Sequence, residues 1–435
     1  MPTVRILLGL IAGAVVGLVL ATLDAELALK AAGVMQPIGR LWLNALQMTV
    51  VPLVVALVLV GVNAASDAAA SGRIAQRAIV VFIIVLSAGA AFTAMVSPIL
   101  MSLAPRDDAL IASLRAAMKG PAPQSAPATL ADWFSAIIPS NAIAAAAQSA
   151  MLPLVVFALF FGFALTRIER ERRVRIIDLF QGIADAMIVI VRWVLWVAPL
   201  GVFALVLAVC AAAGIGIVSA LGYYILLQCS VYLMLTLLLY GVAVAAGGET
   251  LRRFAPGILP AQVIAASTQS SLASLPAMIE CAQSRLGYPR PVAALVLPMA
   301  VSLFRITSPA QYVNAAVFIA WVHGVDLSAV QLTAGAALAV VISLGAVGLP
   351  GQVSFMATTM PVTQSMGLPI EPLGLLLAVD TIPDVFATVG NVTADLTATS
   401  VVARQSRSSS SDPVSDGDAS AAASQSGGAG TPMEA

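Results

Sequence analysis

The stretch AVDTIPDVFATVGNVTADLTATSVVAR, residues 378–404, combines an apolar character that suits a bilayer with three carboxyl side chains. Its polar residues recur at intervals of four, four, three and four, so a helix places them all on one face. They are Asp380, Asp384, Thr388, Asn391 and Asp395. A carboxylate inside a membrane costs roughly 2.5–3.5 kcal/mol on insertion scales, and such groups usually face a protein interior that compensates them. The stretch therefore predicts a membrane helix that lines a solute or ion site.

A second interpretation of the acidic residues at the start of this helix stays open. Asp380 and Asp384 would sit near the helix mouth and only cap neighbouring backbone groups. This interpretation suits Asp395 less well, because mostly apolar or small residues separate it from Arg404.

The composition of the whole chain indicates a polytopic membrane protein. Of its 435 residues 60% are apolar and only 10% are charged, whereas soluble domains carry about 25% charged residues. Its mean hydropathy is +0.99. The formal net charge is zero, so bulk electrostatics gives no indication of a nucleic-acid partner. The three cysteines have no metal-binding or redox spacing, and packing accounts for them better.

Apolar segments divide the first half of the chain into spans. We predict them at residues 5–23, 38–63 (interrupted by Pro52), 78–103, 141–166, 184–211 and 219–246. Arginine clusters at 73–77, 167–175 and 252–253 alternate with arginine-poor loops, and the positive-inside rule assigns them to the cytoplasm. The N-terminus is then cytoplasmic and residues 104–133 lie outside. The Ser/Ala/Gly-rich tail from Gln405 is expected to be disordered.

Two later segments are apolar but interrupted. Residues 256–278 contain a serine cluster that Pro276 closes, and residues 333–369 contain a run of glycines around Pro350. Irregular backbone at membrane depth survives only when it is buried in protein or lines a cavity, and paired broken segments indicate a transporter site. Packing through small residues and a simple helix kink are the respective alternatives.

Several motifs then resemble one family. The end of the last helix reads Asn391-Val392-Thr393-Ala394-Asp395, the serine cluster reads Ser270-Ser271-Leu272-Ala273-Ser274-Leu275-Pro276, and the glycine run reads Gly345-Ala346-Val347-Gly348-Leu349-Pro350-Gly351. Further matching stretches are Leu41 to Pro52 and Ala198 to Phe203. Up to about residue 404 the chain resembles the dicarboxylate/amino acid:cation symporters, the glutamate-transporter family.

The resemblance implies an all-α polytopic membrane protein with eight transmembrane helices and two re-entrant helical hairpins. It also implies a homotrimer in the cell inner (plasma) membrane, with both termini in the cytoplasm. Each subunit would have a scaffold and a transport domain that moves like an elevator. The expected divisions are scaffold spans at 1–72 and 141–215, an outer loop at 104–140, transport-domain segments at 73–103 and 216–403, and a disordered tail at 404–435.

The resemblance also implies the binding residues, in a protein with no catalytic residue and no cofactor beyond a bound Na⁺ or H⁺. The solute would bind at Ser270, Ser271, Ser308, Gly348, Asp384, Thr388 and Asn391, and we add Arg305, which departs from the family pattern. The coupling cation would bind at Ala300, Ser343, Asn391 and Asp395. Asp384 would take an α-amino group, and Asn391 with the hairpin-tip amides would take an α-carboxylate.

The departures from the family pattern concern charge. Where the seventh span normally carries Asn-Met-Asp-Gly-Thr, this chain has Phe304-Arg305-Ile306-Thr307-Ser308. Ile306 therefore replaces a carboxylate that helps to hold one sodium ion, and we expect that site to be absent. Ala387 occupies the place of the arginine that pairs with the side-chain carboxylate of acidic substrates. Arg305, a permanent cation, would replace a bound ion or the lost arginine, or would only pair with an aspartate structurally.

We therefore expect a secondary active symporter for a small dicarboxylate or amino acid. Coupling would use a cation, with fewer sodium ions than in sodium-driven relatives and with proton coupling through Asp395 or Asp384 as the alternative. Two rivals come from other classes. A transport-dead sensor or an anion-conducting pore that keeps the fold stays open, whereas an intramembrane aspartyl protease is disfavoured because the candidate aspartates lie on one helix.

Overall fold

The computed structural model describes residues 2–70, 72–104, 111, 138–213, 216–345 and 351–410. Within these ranges every regular element is helical, which confirms the all-α prediction. The first part contains α1 (Pro2–Leu23), α2 (Ala25–Gln47), α3 (Val50–Ala70), α4 (Arg73–Ser102), α5 (Ala142–Ala147), α6 (Met151–Leu165), α7 (Arg170–Trp196), α8 (Ala198–Ala213) and α9 (Gly216–Ala245). The second part contains α10 (Leu251–Thr268), α11 (Ser271–Glu280), a π-helical turn (Cys281–Arg285), α12 (Arg290–Leu303), α13 (Thr307–His323), α14 (Ala329–Gly345), α15 (Gly351–Ser365), α16 (Leu373–Val379) and α17 (Thr381–Ser410).

The helices of the described ranges are those of a multi-pass membrane protein. By length and composition, five helical segments in these ranges can cross a membrane. They are Glu26–Ala70, Arg73–Ser102, Ser219–Ala245, Arg290–His323 and Thr381–Ser406. A sixth is obtained when α7 and α8, which meet at a 58° bend, are counted as one span.

Three predicted spans have boundaries that differ from the structure. The second span is broken at Met48 and Thr49, between α2 and α3, and not at Pro52. Pro52 lies in the first turn of α3, where a proline removes no intrahelical hydrogen bond. The fourth span is divided after Gln148 by Ser149, whose φ is +54°. The fifth bends at Val197, and most of its preceding arginine cluster is already helical.

The first interrupted segment is a helical hairpin, as predicted. Helix α10 ends at Thr268, Gln269 takes a left-handed conformation (φ 52°, ψ 35°), and the Ser270 side chain caps α11 by accepting a bond from the Ala273 amide. The chain after α11 then returns past the start of α10. A Cβ at Gly257 would lie only 2.7 Å from the Leu286 side chain.

The second interrupted segment also turns back on itself. The Gln331 side-chain amide donates to the Met366 carbonyl oxygen at 2.8 Å, which places the start of α14 beside the end of α15. The connection between the helices, residues 346–350, lies outside the described residues. The predicted solute residue Gly348 belongs to that connection, so its position is not described.

Residues 381–404 of the predicted helix 378–404 lie in the enclosed helix α17, whereas Asp380 lies just before it, at the junction with α16. Helix α17 packs against α4, α9, α10 and α12, and its positions from Gly390 to Ala403 are buried. At its far end Arg77 donates to the Gln405 carbonyl oxygen at 2.8 Å. The helix continues to Ser410, so the first six residues of the predicted disordered tail, 405–410, are helical, and residues 411–435 lie outside the described residues.

Candidate functional site

The site forms where the break between α12 and α13 meets α17. The backbone amide of Thr307, just after the break, donates to the Asn391 side-chain oxygen at 3.1 Å. The Thr307 hydroxyl donates to the Ala387 carbonyl oxygen at 3.4 Å. Gly390 permits this close approach, because a Cβ there would lie 2.9 Å from the Thr307 methyl group. The predicted residues of the two helices are thus brought together.

Both hairpins reach the same region. The Ser343 hydroxyl on α14 donates to the Arg305 carbonyl oxygen at 3.4 Å, and the Gln269 side chain at the first hairpin tip donates to the Thr381 carbonyl oxygen at 3.2 Å. Beside Gln269, the Ser271 hydroxyl is buried without a hydrogen-bond partner among the described residues. The first hairpin (α10–α11, hairpin 1), the second (α14–α15, hairpin 2), the α12–α13 break and α17 therefore converge. The Ser271 hydroxyl without a partner lies at the tip of hairpin 1.

Two opposite charges face this region without a contact ion pair. Arg305 and Asp384 are both half-buried, and they interact electrostatically, as Arg305 also does with Asp395. In the described part of the chain neither the Arg305 guanidinium nor the Asp384 carboxylate has an ion-pair partner within 4 Å. Both groups are therefore available to a ligand that carries the complementary charges.

The remaining predicted solute residues lie on the same two helices. Ser308 is 9% exposed in the first turn of α13, and Thr388 is 3% exposed with its hydroxyl donating to the Asp384 carbonyl oxygen at 2.8 Å. The Asn391 side-chain oxygen is already engaged by Thr307. Its NH₂ group remains as a donor, which suits a carboxylate.

Asp395 has the environment of a cation-binding or proton-binding group. It is fully buried, and among the described residues both of its carboxylate oxygens lack a hydrogen-bond partner. Ala300, another predicted cation ligand, is fully buried in α12, which packs against α17. A buried carboxylate without partners is strongly unfavourable unless a cation or a proton neutralises it, so these residues fit a bound cation.

Hydrocarbon fills the place where the resemblance puts a further sodium site. Phe304 stacks on Phe82 of α4 with ring centroids 4.8 Å apart and an interplanar angle of 8°. Ile306 is 2% exposed, and a Cβ at Gly89 would lie 2.9 Å from its side chain. The contact between α4 and the break is therefore apolar.

Sequence reasoning missed the partner of Asp380. Its two carboxylate oxygens accept bonds from the Gln311 side-chain amide on α13 at 2.8 and 2.9 Å. The interpretation of Asp380 as a cap for neighbouring backbone is therefore wrong for this carboxylate, which binds a side chain of another helix. Gln311 and Asn314 lie three residues apart in an otherwise mostly apolar helix, and that spacing was the readable signal of a polar face.

Asn314 belongs to a buried polar chain that sequence reasoning also missed. The Ser97 hydroxyl on α4 donates to the Asn314 side-chain oxygen, and the Asn314 amide donates to Gln228 on α9 at 2.6 Å. The Gln228 amide donates in turn to the Tyr224 hydroxyl at 2.9 Å. One polar network thus joins α4, α13 and α9 next to the site, and every group in it has a partner.

Comparisons with known proteins agree with this architecture. The model of the sodium:dicarboxylate symporter family matches residues 3–405. The chain is 28% identical over 374 residues to the proton/glutamate-aspartate symporter of Escherichia coli (strain K12), covering 85% of each chain. It is 26% identical to the proton/sodium-glutamate symport protein of Bacillus subtilis (strain 168), covering 85% of this chain and 86% of that one. It is 30% identical to the neutral amino acid transporter B(0) of Oryctolagus cuniculus, covering 82% of this chain and 71% of that one.

Proposed function

The chain belongs to the sodium:dicarboxylate symporter family, and from that membership we propose that it is a cation-coupled symporter of an acidic or neutral amino acid. It is a multi-pass membrane transporter and not an enzyme. The relatives named above support this solute class, since their names specify glutamate, aspartate or neutral amino acids.

The observation that carries the proposal is the pair of unengaged opposite charges at the α12–α13 break. An amino acid presents an ammonium and a carboxylate to its receptor. Asp384 would take the ammonium and the Asn391 NH₂ group would take the α-carboxylate, which leaves Arg305 for the second carboxylate of an acidic amino acid. Arg305 is a suitable partner because a guanidinium binds a carboxylate through two parallel hydrogen bonds.

Arg305 also bears on the choice between acidic and neutral solutes. On α17 the resemblance places an arginine where this chain has Ala387, which is 8% exposed and carries no charge. The side-chain carboxylate of glutamate or aspartate would therefore depend on Arg305. We expect Arg305→Met to weaken acidic amino acids far more than neutral ones, and Arg305→Lys to restore part of the loss. Tight aspartate binding that persists in Arg305→Met would contradict this assignment.

The proposed ion coupling rests on the residues at the α12–α13 break and on Asp395. The apolar contact of Phe304 and Ile306 with α4 supports the absence of one sodium site, and Asp395 remains as a cation ligand. We therefore propose fewer sodium ions per solute than in sodium-driven relatives, with proton coupling. By family analogy we also propose homotrimeric assembly, an elevator mechanism and cytoplasmic termini.

Reconstitution into proteoliposomes tests the function. A thermal-shift screen of amino acids and dicarboxylates selects the solute, and counterflow measures its exchange. Uptake is then measured under a sodium gradient alone and under a proton gradient alone, and we expect the proton gradient to be sufficient. Absence of saturable counterflow would favour the sensor or pore. A sodium requirement with a Hill slope of about three would contradict reduced sodium coupling.

A further inference from the structure

Asp380, Asp384 and Asp395 differ in the groups that compensate their charge. Arg305 acts electrostatically on Asp384 and on Asp395, whereas the groups acting on Asp380 are Asp384 and the Gln311 amide. Among the described residues the side-chain partner of Asp380 is the neutral Gln311 amide, and no ion pair within 4 Å compensates this carboxylate. We propose that Asp380 is the proton-binding residue of the transport cycle. This proposal rests on the proposed function and moves the proton from Asp384 or Asp395, the two sequence-based candidates, to a third carboxylate.

The geometry at Asp380 fits a group that gains and loses a proton. Asp380 is 6% exposed and lies at the junction between α16 and α17. Its side-chain donor is the Gln311 Nε2, at 2.8 Å from one oxygen and 2.9 Å from the other. No ion pair within 4 Å reaches it from the described residues. An isolated buried carboxylate of this kind is most cheaply accommodated in its neutral form.

The groups of the described residues that interact electrostatically with Asp380 or hydrogen-bond to it are neutral or negative. They are Tyr224, Cys229 and Tyr232 on α9, Gln311 on α13 and Asp384 on α17. Tyr224 is already held by Gln228 in the buried polar chain. None of these groups carries a positive charge that could compensate an ionised Asp380, and this environment suits compensation by a mobile proton.

The partner residue type suits a carboxyl group that gains and loses a proton. Gln311 presents its NH₂ group to the Asp380 carboxylate. A side-chain amide also serves both states of Asp380. Its NH₂ group donates to the carboxylate, and after rotation its oxygen accepts from the carboxylic O–H. An arginine or lysine in this place would instead fix the negative charge.

The position also suits coupling to the solute. The Asp384 backbone amide donates to the Asp380 carbonyl oxygen at 3.0 Å, so the solute residue lies one helical turn away. The hairpin 1 tip binds the carbonyl oxygen of the next residue, Thr381, through Gln269. In the cycle, the Asp380 carboxylate forms an O–H bond with a proton from water on one side, crosses as the neutral acid, and returns the proton to water on the other side.

The test uses the full-length protein in proteoliposomes. Asp380→Asn mimics the protonated state permanently. We expect counterflow exchange to stay within about twofold of wild type and to lose its pH dependence, while uphill uptake driven by a proton gradient is lost. Asp380→Glu should keep proton-driven uptake. Asp178→Asn, at an exposed position of α7, is the matched charge control and should behave as wild type.

Proton-driven uphill uptake by Asp380→Asn would overturn the inference, and so would wild-type uptake that ignores a proton gradient while counterflow persists. Both results would leave the proposed function standing. Absence of wild-type counterflow for every amino acid would overturn the proposed function together with the inference.

A second measurement does not depend on transport. Infrared difference spectra of the purified protein, recorded during a pH titration, should show a protonated carboxyl band that is lost in Asp380→Asn and kept in Asp178→Asn. Should Asp380→Asn fail to fold, Gln311→Leu replaces it. Removal of the donor should move the midpoint of this band to more alkaline pH, because a hydrogen bond to the carboxylate favours the charged form. An unchanged midpoint would overturn the inference.

Discussion

At the scale of single residues, the distribution of charge distinguishes the candidate roles. Asp395 is fully buried with two oxygens that lack partners among the described residues, whereas Asp384 is half-buried at the break and Asp380 is held by Gln311. Arg305 acts on the first two from the break itself. A fixed arginine cannot dissociate on the far side of a membrane, so it contributes to binding but not to gradient coupling.

Asp395→Asn tests the cation role at this scale. The variant keeps the side-chain volume and removes the charge, so we expect coupled uphill uptake to be abolished while the protein still folds. Its thermal stability without added cations should match or exceed that of wild type, because an uncompensated buried charge has been removed. The infrared band assigned to Asp380 should remain. Wild-type uphill uptake in Asp395→Asn would exclude this residue from coupling.

At the scale of helices, the sequence predicted those elements whose breaks carry unusual residues. The serine cluster with Pro276 located the first hairpin, and the polar spacing in residues 378–404 located the site face of α17. The breaks at Met48–Thr49 and Ser149 precede Pro52 and Pro153, which lie in the first turn of the next helix and so do not mark the exact break. The contact of Gln311 with Asp380 joins residues 69 apart, and local periodicity contains no information on such a pair.

The prediction for helices concerns the apolar contact between α4 and the α12–α13 break. Ile306→Asp restores the carboxylate of the family pattern, but it would face Gly89 and lie beside the Phe82–Phe304 pair. We expect thermal unfolding to show a loss of about 3 kcal/mol or more, with no stabilisation by sodium. Ile306→Val, the control, should lose about 1 kcal/mol. Sodium-dependent stabilisation of Ile306→Asp would show that the other ligands are present after all.

At the scale of the whole molecule, the proposed elevator requires that scaffold and transport domain separate along one interface. Under the predicted division, α2 and α8 belong to the scaffold and α16 to the transport domain. Gly374 of α16 lies at their contact, where a Cβ would be 2.6 Å from the Leu43 side chain and 3.0 Å from that of Leu205. An elevator movement must separate Gly374 from the side chains of these two leucines.

A reversible cross-link at this contact tests the movement. In a background where Cys210, Cys229 and Cys281 are replaced by alanine, Leu43→Cys shortens the side chain that Gly374→Cys would otherwise meet, so two thiols come within reach of a bridging mercuric ion. We expect mercury to stop uptake and exchange by the double variant, and a competing thiol to restore both, while the solute still shifts its thermal unfolding. The two single-cysteine variants should be unaffected. Full exchange by protein that mass spectrometry shows to be cross-linked would mean that this interface does not move during transport, and the elevator proposal would then fail for this chain.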